Sequence, residues 1–575
     1  MALRPGHERF TSPTLPNQRR YEALRAYFVE GASAQAVAAR FGYTRASVET
    51  LVRDHRAGRL GELFVIARPG PKRQPRKDAA RALALGLRRE GHGLDAIVAA
   101  LAAAGTPLSR TATWELLGEA GLARLEGARA AAHTPTAAAP EPKTRVLDAD
   151  DWPAQGTLRC EHAGLFLLVP ELVALDLPGL VAAAGYPGTS QLGALHSVLA
   201  LLALKLSGRR RRSHVQDVVH DHALGLFAGL TVLPKTWHLT TYSYRTERRH
   251  QQQLFEALQP RLRAAGLLGG ESFNLDFHAM MSFGEGEILE KHYVPRRSQR
   301  TRSVLSFFAQ DGEQHTLVYA NADLSVTDSA HEVIRFCEFY QATHGQLPRL
   351  LVFDQKLTTH AELATLDELG VAFITLRMRS PKLTAALEAL PAERWTKTRL
   401  QRPGKHRDVS YVEDAVTIAG RRLRQLAVRG LGREHPTLLL TNQHDRTPKQ
   451  LIERYGQRWG IENHLAEQIR AFHLDSLASQ VPLAVDFDIA LTVIADLIYR
   501  RFARGLSSAY HTKTPDTIRR HFIDTKGELR FTADNVEIRL ARRTYTPHLL
   551  DADYPNRTIK VPWWNNRTLS YAFPA

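Results

Sequence analysis

Between Ser272 and Arg379 short apolar runs alternate with stretches of helical period, and that alternation constrains the fold more tightly than any other feature of the chain. SFNLDFHAM, VLSFFAQ and HTLVYANADL have the length and the β-branched or aromatic content of strands, with DGEQ turning between the last two as a hairpin. A helix over TDSAHEVIRFCEFYQATHG, a strand RLLVFD, a helix HAELATLDELG and a strand VAFITLR follow. The expected order of elements is therefore β-β-β-α-β-α-β. Asp276 falls in the first strand and Asp354 in the fourth, each where a strand should end.

A third acidic residue comes from a helix. From Thr447 the chain reads TPKQLIERYGQRWGIENHLAEQIRAF, an expected single helix with Thr447 as cap and Pro448 at its first position. Tyr455, Arg458 and Glu462 stand at i, i+3 and i+7 and so project from one side. Three carboxylates on two strand ends and one helix can hold two Mg²⁺ ions, or Mn²⁺ in their place, against a phosphodiester. Ions about 3.5–4 Å apart serve the attacking water and the leaving oxygen together. Arg458 suits a forked grip on phosphate, and Tyr455 can donate to another.

The rest of the chain has the character of a DNA-binding protein. The 76 Lys and Arg exceed the 59 Asp and Glu by 17, and the pI is near 9.9, which points to a polyanionic partner. The longest apolar run, around Leu192–Gly208, contains His196 and Lys205 and is too short to span a membrane. With no secretion signal at the start and only Cys160 and Cys337, a cytoplasmic, nucleoid-associated protein without a disulfide framework or a Cys-based zinc site is expected. Helical stretches between Arg19 and His55, broken at Gly31 and Gly42, suit a helix-turn-helix. Its third helix, capped by Thr44, presents Arg45, Ser47, Glu49 and Thr50 as groove-reading candidates. RPGPKRQPRK carries Arg68, Lys72, Arg73 and Arg76 on what should be an extended arm along phosphates, or a solvated linker. Arg210 and Arg211, in GRRRRSH, are further candidates for DNA contact.

The expected organisation is multidomain α+β. A helix-turn-helix domain at 1–67, a basic linker at 68–77, a second helical DNA-binding domain at 78–125 and a flexible linker at 126–145 come first. A helical DNA-binding or dimerising domain at 146–268 follows. The catalytic domain spans 269–379 and 437–510 around a β-rich insertion at 380–436, and 511–575 form a C-terminal appendage. Trp563 and Trp564 of that appendage are expected to be buried rather than to stack on bases.

The Tyr455, Arg458, Glu462 spacing resembles the Tyr-x2-Arg-x3-Glu signature of bacterial insertion-sequence transposases of the DDE type, and NLDFH and LVFDQKLTT resemble their two aspartate segments. The likeness covers roughly Glu271–Gly505. It implies a ribonuclease-H-like α/β catalytic domain, catalytic and metal-ligating roles for Asp276, Asp354 and Glu462, and DNA contacts by Tyr455 and Arg458. It also implies cut-and-paste chemistry on double-stranded DNA by a homodimer or larger assembly. Trp395 in the insertion is the implied stacking residue for a flipped base. Where family members carry lysine seven residues after the Glu, this chain has Ile469, with Arg470 beside it as the possible substitute. An inactive, transposase-derived DNA-binding protein and a host metal-dependent nuclease are the alternatives.

Overall fold

The structure, a computed structural model, describes residues 13, 16–57, 60, 75–90, 92–120, 143–152, 155–218, 221–282, 289–294, 299–325, 327–402, 405–476 and 481–573. The protein is mixed α/β, helical toward its N-terminus and rich in sheet toward its C-terminus, and it divides into two compact units, Met1–Ala139 and Pro140–Ala575.

In the first unit, helices Pro16–Phe28, Ala34–Phe41 and Arg45–Arg56 close on Ala23, Leu24, Val37, Phe41, Val48 and Val52. Gly42 ends the second helix with a φ of 69°, a left-handed conformation that glycine adopts without steric cost. Thr44 Oγ1 accepts from the Ser47 amide at 3.1 Å and so caps the third helix. Arg45, Ser47 and Thr50 are exposed, with Arg45 donating to Glu49 at 2.8 Å. A second helical trio, Pro75–Arg89, Leu94–Ala103 and Arg110–Glu119, buries Ala80, Ala84, Ile97, Leu101, Leu116 and Leu117. Pro75, Arg76 and Lys77 were expected in an extended arm; they instead open a helix, where proline is tolerated because its missing amide would have no partner in the first turn. Arg68, Lys72 and Arg73 lie outside the described residues, and of Arg76 only the backbone is described.

The second unit is built on a ten-stranded sheet. Its strands are β1 (Ser272–Met281), β2 (Lys291–Val294), β3 (Gln299–Asp311), β4 (Leu317–Asn321), β5 (Leu350–Phe353), β6 (Ala372–Leu376), β7 (Thr396–Arg402), β8 (Lys405–Ile418), β9 (Arg421–Arg429) and β10 (Thr437–Thr441). They lie in the order β2-β3-β1-β5-β6-β10-β9-β8-β7, with β4 paired to β3. Only β1-β5 and β5-β6 are parallel. The first and fourth strands of the expected order are therefore neighbours. The insertion strands β7, β8 and β9 do not form a separate layer: β10 pairs antiparallel with β6 and carries the ladder outward through them. The insertion also contains a helix, Pro381–Glu388, capped by Ser380, that the strand-rich reading of this segment missed.

α1 (Pro448–Gln457) packs on β6 and β7 and reaches β1 through Arg454, α2 (Trp459–Phe472) packs on β1, and α3 (Pro482–Arg504) packs beside α2. The expected single helix is thus two. At Arg458, between Gly456 and Gly460, the amides of Arg458 and Ile461 donate to carbonyls three residues back, a tighter turn than the α-helix makes.

The segment expected as a C-terminal appendage joins the helical segment that precedes the large sheet. Strand Gly156–Cys160 pairs with Gly527–Phe531 in a five-stranded sheet whose other members are Asn535–Leu540, Ile559–Val561 and Arg567–Ala572. Trp563 and Trp564 are buried as expected, and their indoles donate to the carbonyls of Phe227 and Leu226. Among the described residues no single helix is long and apolar enough to cross a membrane. Ala163–Ala174 and Leu177–Ala183 pass that test only as a pair bent by 58°, and most of their apolar side chains lie in the core.

Candidate active site

Asp276 and Asp354 meet because of where one strand stops. The parallel ladder between β1 and β5 ends at the pair Leu275 and Phe353, so the next residue on each chain is an aspartate. Asp276 was expected at a strand end but sits mid-strand, because β1 continues to Met281 along β3. Asp354 leaves the sheet and caps a turn, its Oδ1 accepting from the Gln355 amide at 2.7 Å. Asn274 and Asp276 share a face by the two-residue period of a strand, and that face meets the helices.

Arg458 and Glu462 approach Asp276 from those helices. Arg458 Nη2 donates to Glu462 Oε1 at 2.6 Å, while its Nη1 stands 3.8 Å from Asp276 Oδ1. The guanidinium is 5% exposed and lies against the Tyr455 ring, 5.5 Å from its centroid. Among the described residues, Arg458 Nε and Nη1 and the Tyr455 hydroxyl are buried with no hydrogen-bond partner. Beside Asp276 and Glu462, these buried donors retain hydrogen-bonding capacity for a further oxygen acceptor. Tyr455 thus shares a stripe with Arg458 and Glu462 across the break.

Burial pushes the Asp276 carboxyl up to about 7; Arg458 opposes this, and Glu462 and Asp354 reinforce it. Asp276 therefore lies within the field of both other carboxylates. The three do not form a closed cage: among the described residues no three His, Cys, Asp or Glu side chains are grouped to hold a metal ion. Glu462 is turned to Arg458, and Asp354 to its own turn. As a donor set the three offer carboxylate oxygen alone, the ligand type that hard divalent cations take.

A buried polar chain, absent from the sequence reading, fixes the helices to the strand. Arg454 donates from Nη1 to Asn274 Oδ1 at 2.8 Å and from Nη2 to Ser272 Oγ at 2.5 Å. Asn274 Nδ2 donates to Gln310 Oε1 across the β1-β3 pair, and Gln310 Nε2 donates to His464 Nδ1 at 3.0 Å. His464 Nε2 in turn stands 2.9 Å from Asp496 Oδ2 and 2.8 Å from Arg500 Nη2. Gln468 and Arg500 donate to Asp496. Burial alone would raise Asp496, but Arg500 and His464 hold it well below the usual carboxylate range.

Residues 290–495 match the family model described as transposase DDE domain. None of the curated proteins matches the chain. Asp354, Arg458 and Glu462 lie inside the matched segment of the transposase domain, and Asp276 precedes it.

The outlying candidates are scattered. Trp395 does not offer a face to a base: it is 8% exposed, packs with Leu387, Val412, Ala427 and Leu438, and carries the Arg429 guanidinium 3.8 Å above its ring. The exposed tryptophan of the transposase domain is Trp459, at 54%, directly after Arg458. In the sequence Trp459 stands between Gly456 and Gly460, beside the helix break. Arg470 is exposed near the end of α2, and Arg210 and Arg211 are exposed on the turn after helix Ala194–Leu206.

Proposed function

We propose that the protein is a DNA transposase that cuts the ends of its element and joins them to target DNA, with Asp276, Asp354 and Glu462 as the catalytic carboxylates. The observation that carries this reading is the parallel β1-β5 pairing that sets Asp276 beside Asp354, with Asp276 in the field of Glu462, at the edge of a transposase DDE domain. The two parallel and three antiparallel pairings among the six strands of 272–376, with helices on them, support a ribonuclease-H-like arrangement of the catalytic domain. Asp276, Asp354 and Glu462 would hold Mg²⁺, two ions or Mn²⁺ in their place, and the metal would supply positive charge to the oxygens of the reacting phosphate.

The chain's own residues do the rest. Arg458 directs Nε and Nη1 to a phosphate oxygen, and the Tyr455 hydroxyl donates to a second. As Arg458 takes the phosphate it releases Glu462 toward the aspartates. Asp276, uncharged over part of the neutral range, ionises as positive charge arrives. The Trp459 ring stacks on a base beside the cut. The capped helix Arg45–Arg56 reads a groove through Arg45, Ser47 and Thr50, with a homodimer bringing two ends together.

The test uses DNA from the borders of the gene. With Mg²⁺, the full chain nicks those ends, leaves a 3′-OH and joins it to a plasmid. Asp276→Asn, Asp354→Asn and Glu462→Gln each abolish both steps without loss of DNA binding. Cleavage that survives all three substitutions would remove the assignment. A DNA-binding protein that never cuts is the second reading, drawn from the open arrangement of the carboxylates; wild-type protein that binds but does not cut in Mg²⁺ or Mn²⁺ would select it. Cutting without joining would select a nuclease.

A further inference from the structure

The run Gly208–His214 packs against the end of α2 opposite Glu462. Helix Ala194–Leu206 ends at Gly208, whose φ of 70° turns the chain back through Arg209, Arg210 and Arg211. This turn meets the end of α2: His473 Nε2 donates to the Gly208 carbonyl at 3.1 Å, and Arg210 Nε donates to Ser476 Oγ at 3.0 Å. A cleft between them is lined by Lys205, the arginines at 209–212, His473 and Ser476, with Asp488 as the acid in its wall.

Cations prevail there. Lys205 donates to Asp488 at 2.9 Å, and Arg212 Nη2 stands 3.6 Å from the same carboxylate, which leaves Arg210 and Arg211 exposed at the mouth. Arg212 is 9% exposed and donates from Nη1 to Ser243 Oγ, yet its Nε and Nη2 have no hydrogen-bond acceptor among the described residues. A helix C-terminus ordinarily disfavours anions. Here Arg519 donates to the Ala471 carbonyl at 3.2 Å and offsets that end.

We propose that this cleft binds a backbone phosphate of duplex DNA and fixes the duplex along α2. The proposal rests on the transposase reading for the identity of the polyanion. Glu462 and His473 stand at opposite ends of α2; at 1.5 Å per residue they are about 16 Å apart, or about five base-pair steps of 3.4 Å. The contacted phosphate therefore lies about five base pairs from the cut.

The experiment measures binding of the full chain to a labelled 40-base-pair duplex of random sequence at a series of KCl concentrations. Arg210→Ala/Arg211→Ala removes only exposed side chains, and Arg530→Ala/Arg539→Ala, on the small sheet, removes the same charge elsewhere. The first pair is expected to flatten the slope of log affinity against log salt by about 1–2 and to weaken binding about tenfold or more at 150 mM. The second pair leaves both within error of wild type. Equal slopes for wild type and Arg210→Ala/Arg211→Ala, or equal losses for the two pairs, would overturn the cleft. The transposase reading fails separately, by triad-independent cleavage; a wild type that binds but never cuts leaves the cleft's outcome readable.

Discussion

Asp276 faces two demands that pull its proton in opposite directions. Burial holds the carboxyl up near 7, while a cation or the Arg458 guanidinium favours its ionised form. Because the folded-state pKa exceeds the unfolded value of about 3.9, the proton's contribution to stability is full below about pH 4 and lost as pH rises through about 7. Asp276→Asn should remove this slope: relative to wild type, its urea midpoint rises from pH 5 to pH 8, by the equivalent of about 2 kcal/mol. Two tryptophans separate packing from DNA contact in the same way. Trp395→Ala opens a cavity under Arg429 and is expected to cost about 3–5 kcal/mol in denaturant unfolding. Trp459→Ala should change stability by less than about 0.5 kcal/mol and weaken binding to single-stranded or unpaired DNA by about 1–3 kcal/mol, measured by fluorescence titration. The sequence marked Asp276, Asp354 and Glu462 because strand ends and helix periodicity are local. It could not distinguish Trp395 from Trp459, since which tryptophan is covered depends on Arg429, far along the chain.

At the scale of elements, α1 and α2 are held to β1 by side chains that had no local signature. Arg454, Asn274, Gln310, His464 and Asp496 come from five places in the sequence, and each reads alone as an ordinary polar residue. Their burial creates the requirement for mutual hydrogen bonding. Asp496→Asn leaves the Arg500 charge without its carboxylate, and is expected to cost about 3–5 kcal/mol at pH 7. Since Asp496 is depressed in the folded state, the wild-type advantage is present above the unfolded pKa of about 3.9 and shrinks as pH falls below it. Chemical denaturation of both proteins at pH 7 and pH 3 measures it. The helix break at Arg458 belongs to this scale too. Gly456 and Gly460 were visible, but a glycine inside a helical pattern is usually tolerated, and only packing against β1 turns the pair into a tight turn.

Across the whole molecule the alternation of strands and helices in 272–376 was legible because parallel and hairpin connections follow from length and order. The partnership of 156–160 with 527–531, and the outward growth of the sheet into the insertion, was not. Both are pairings between strands far apart in sequence, which no window of residues encodes. The large sheet gives the site its floor: β1 and β5 are central strands with neighbours on both sides, while Glu462 stands on α2 and accepts from Arg458. Manganese anomalous diffraction from crystals of the full chain with border DNA measures that arrangement most directly. Mn²⁺ peaks within about 2.5 Å of the carboxylate oxygens of Asp276 and Asp354, with Glu462 turned away from Arg458 to join them, are the expected result. Mn²⁺ seated elsewhere on a DNA complex that still cuts, with Glu462 bound to Arg458 throughout, would contradict it.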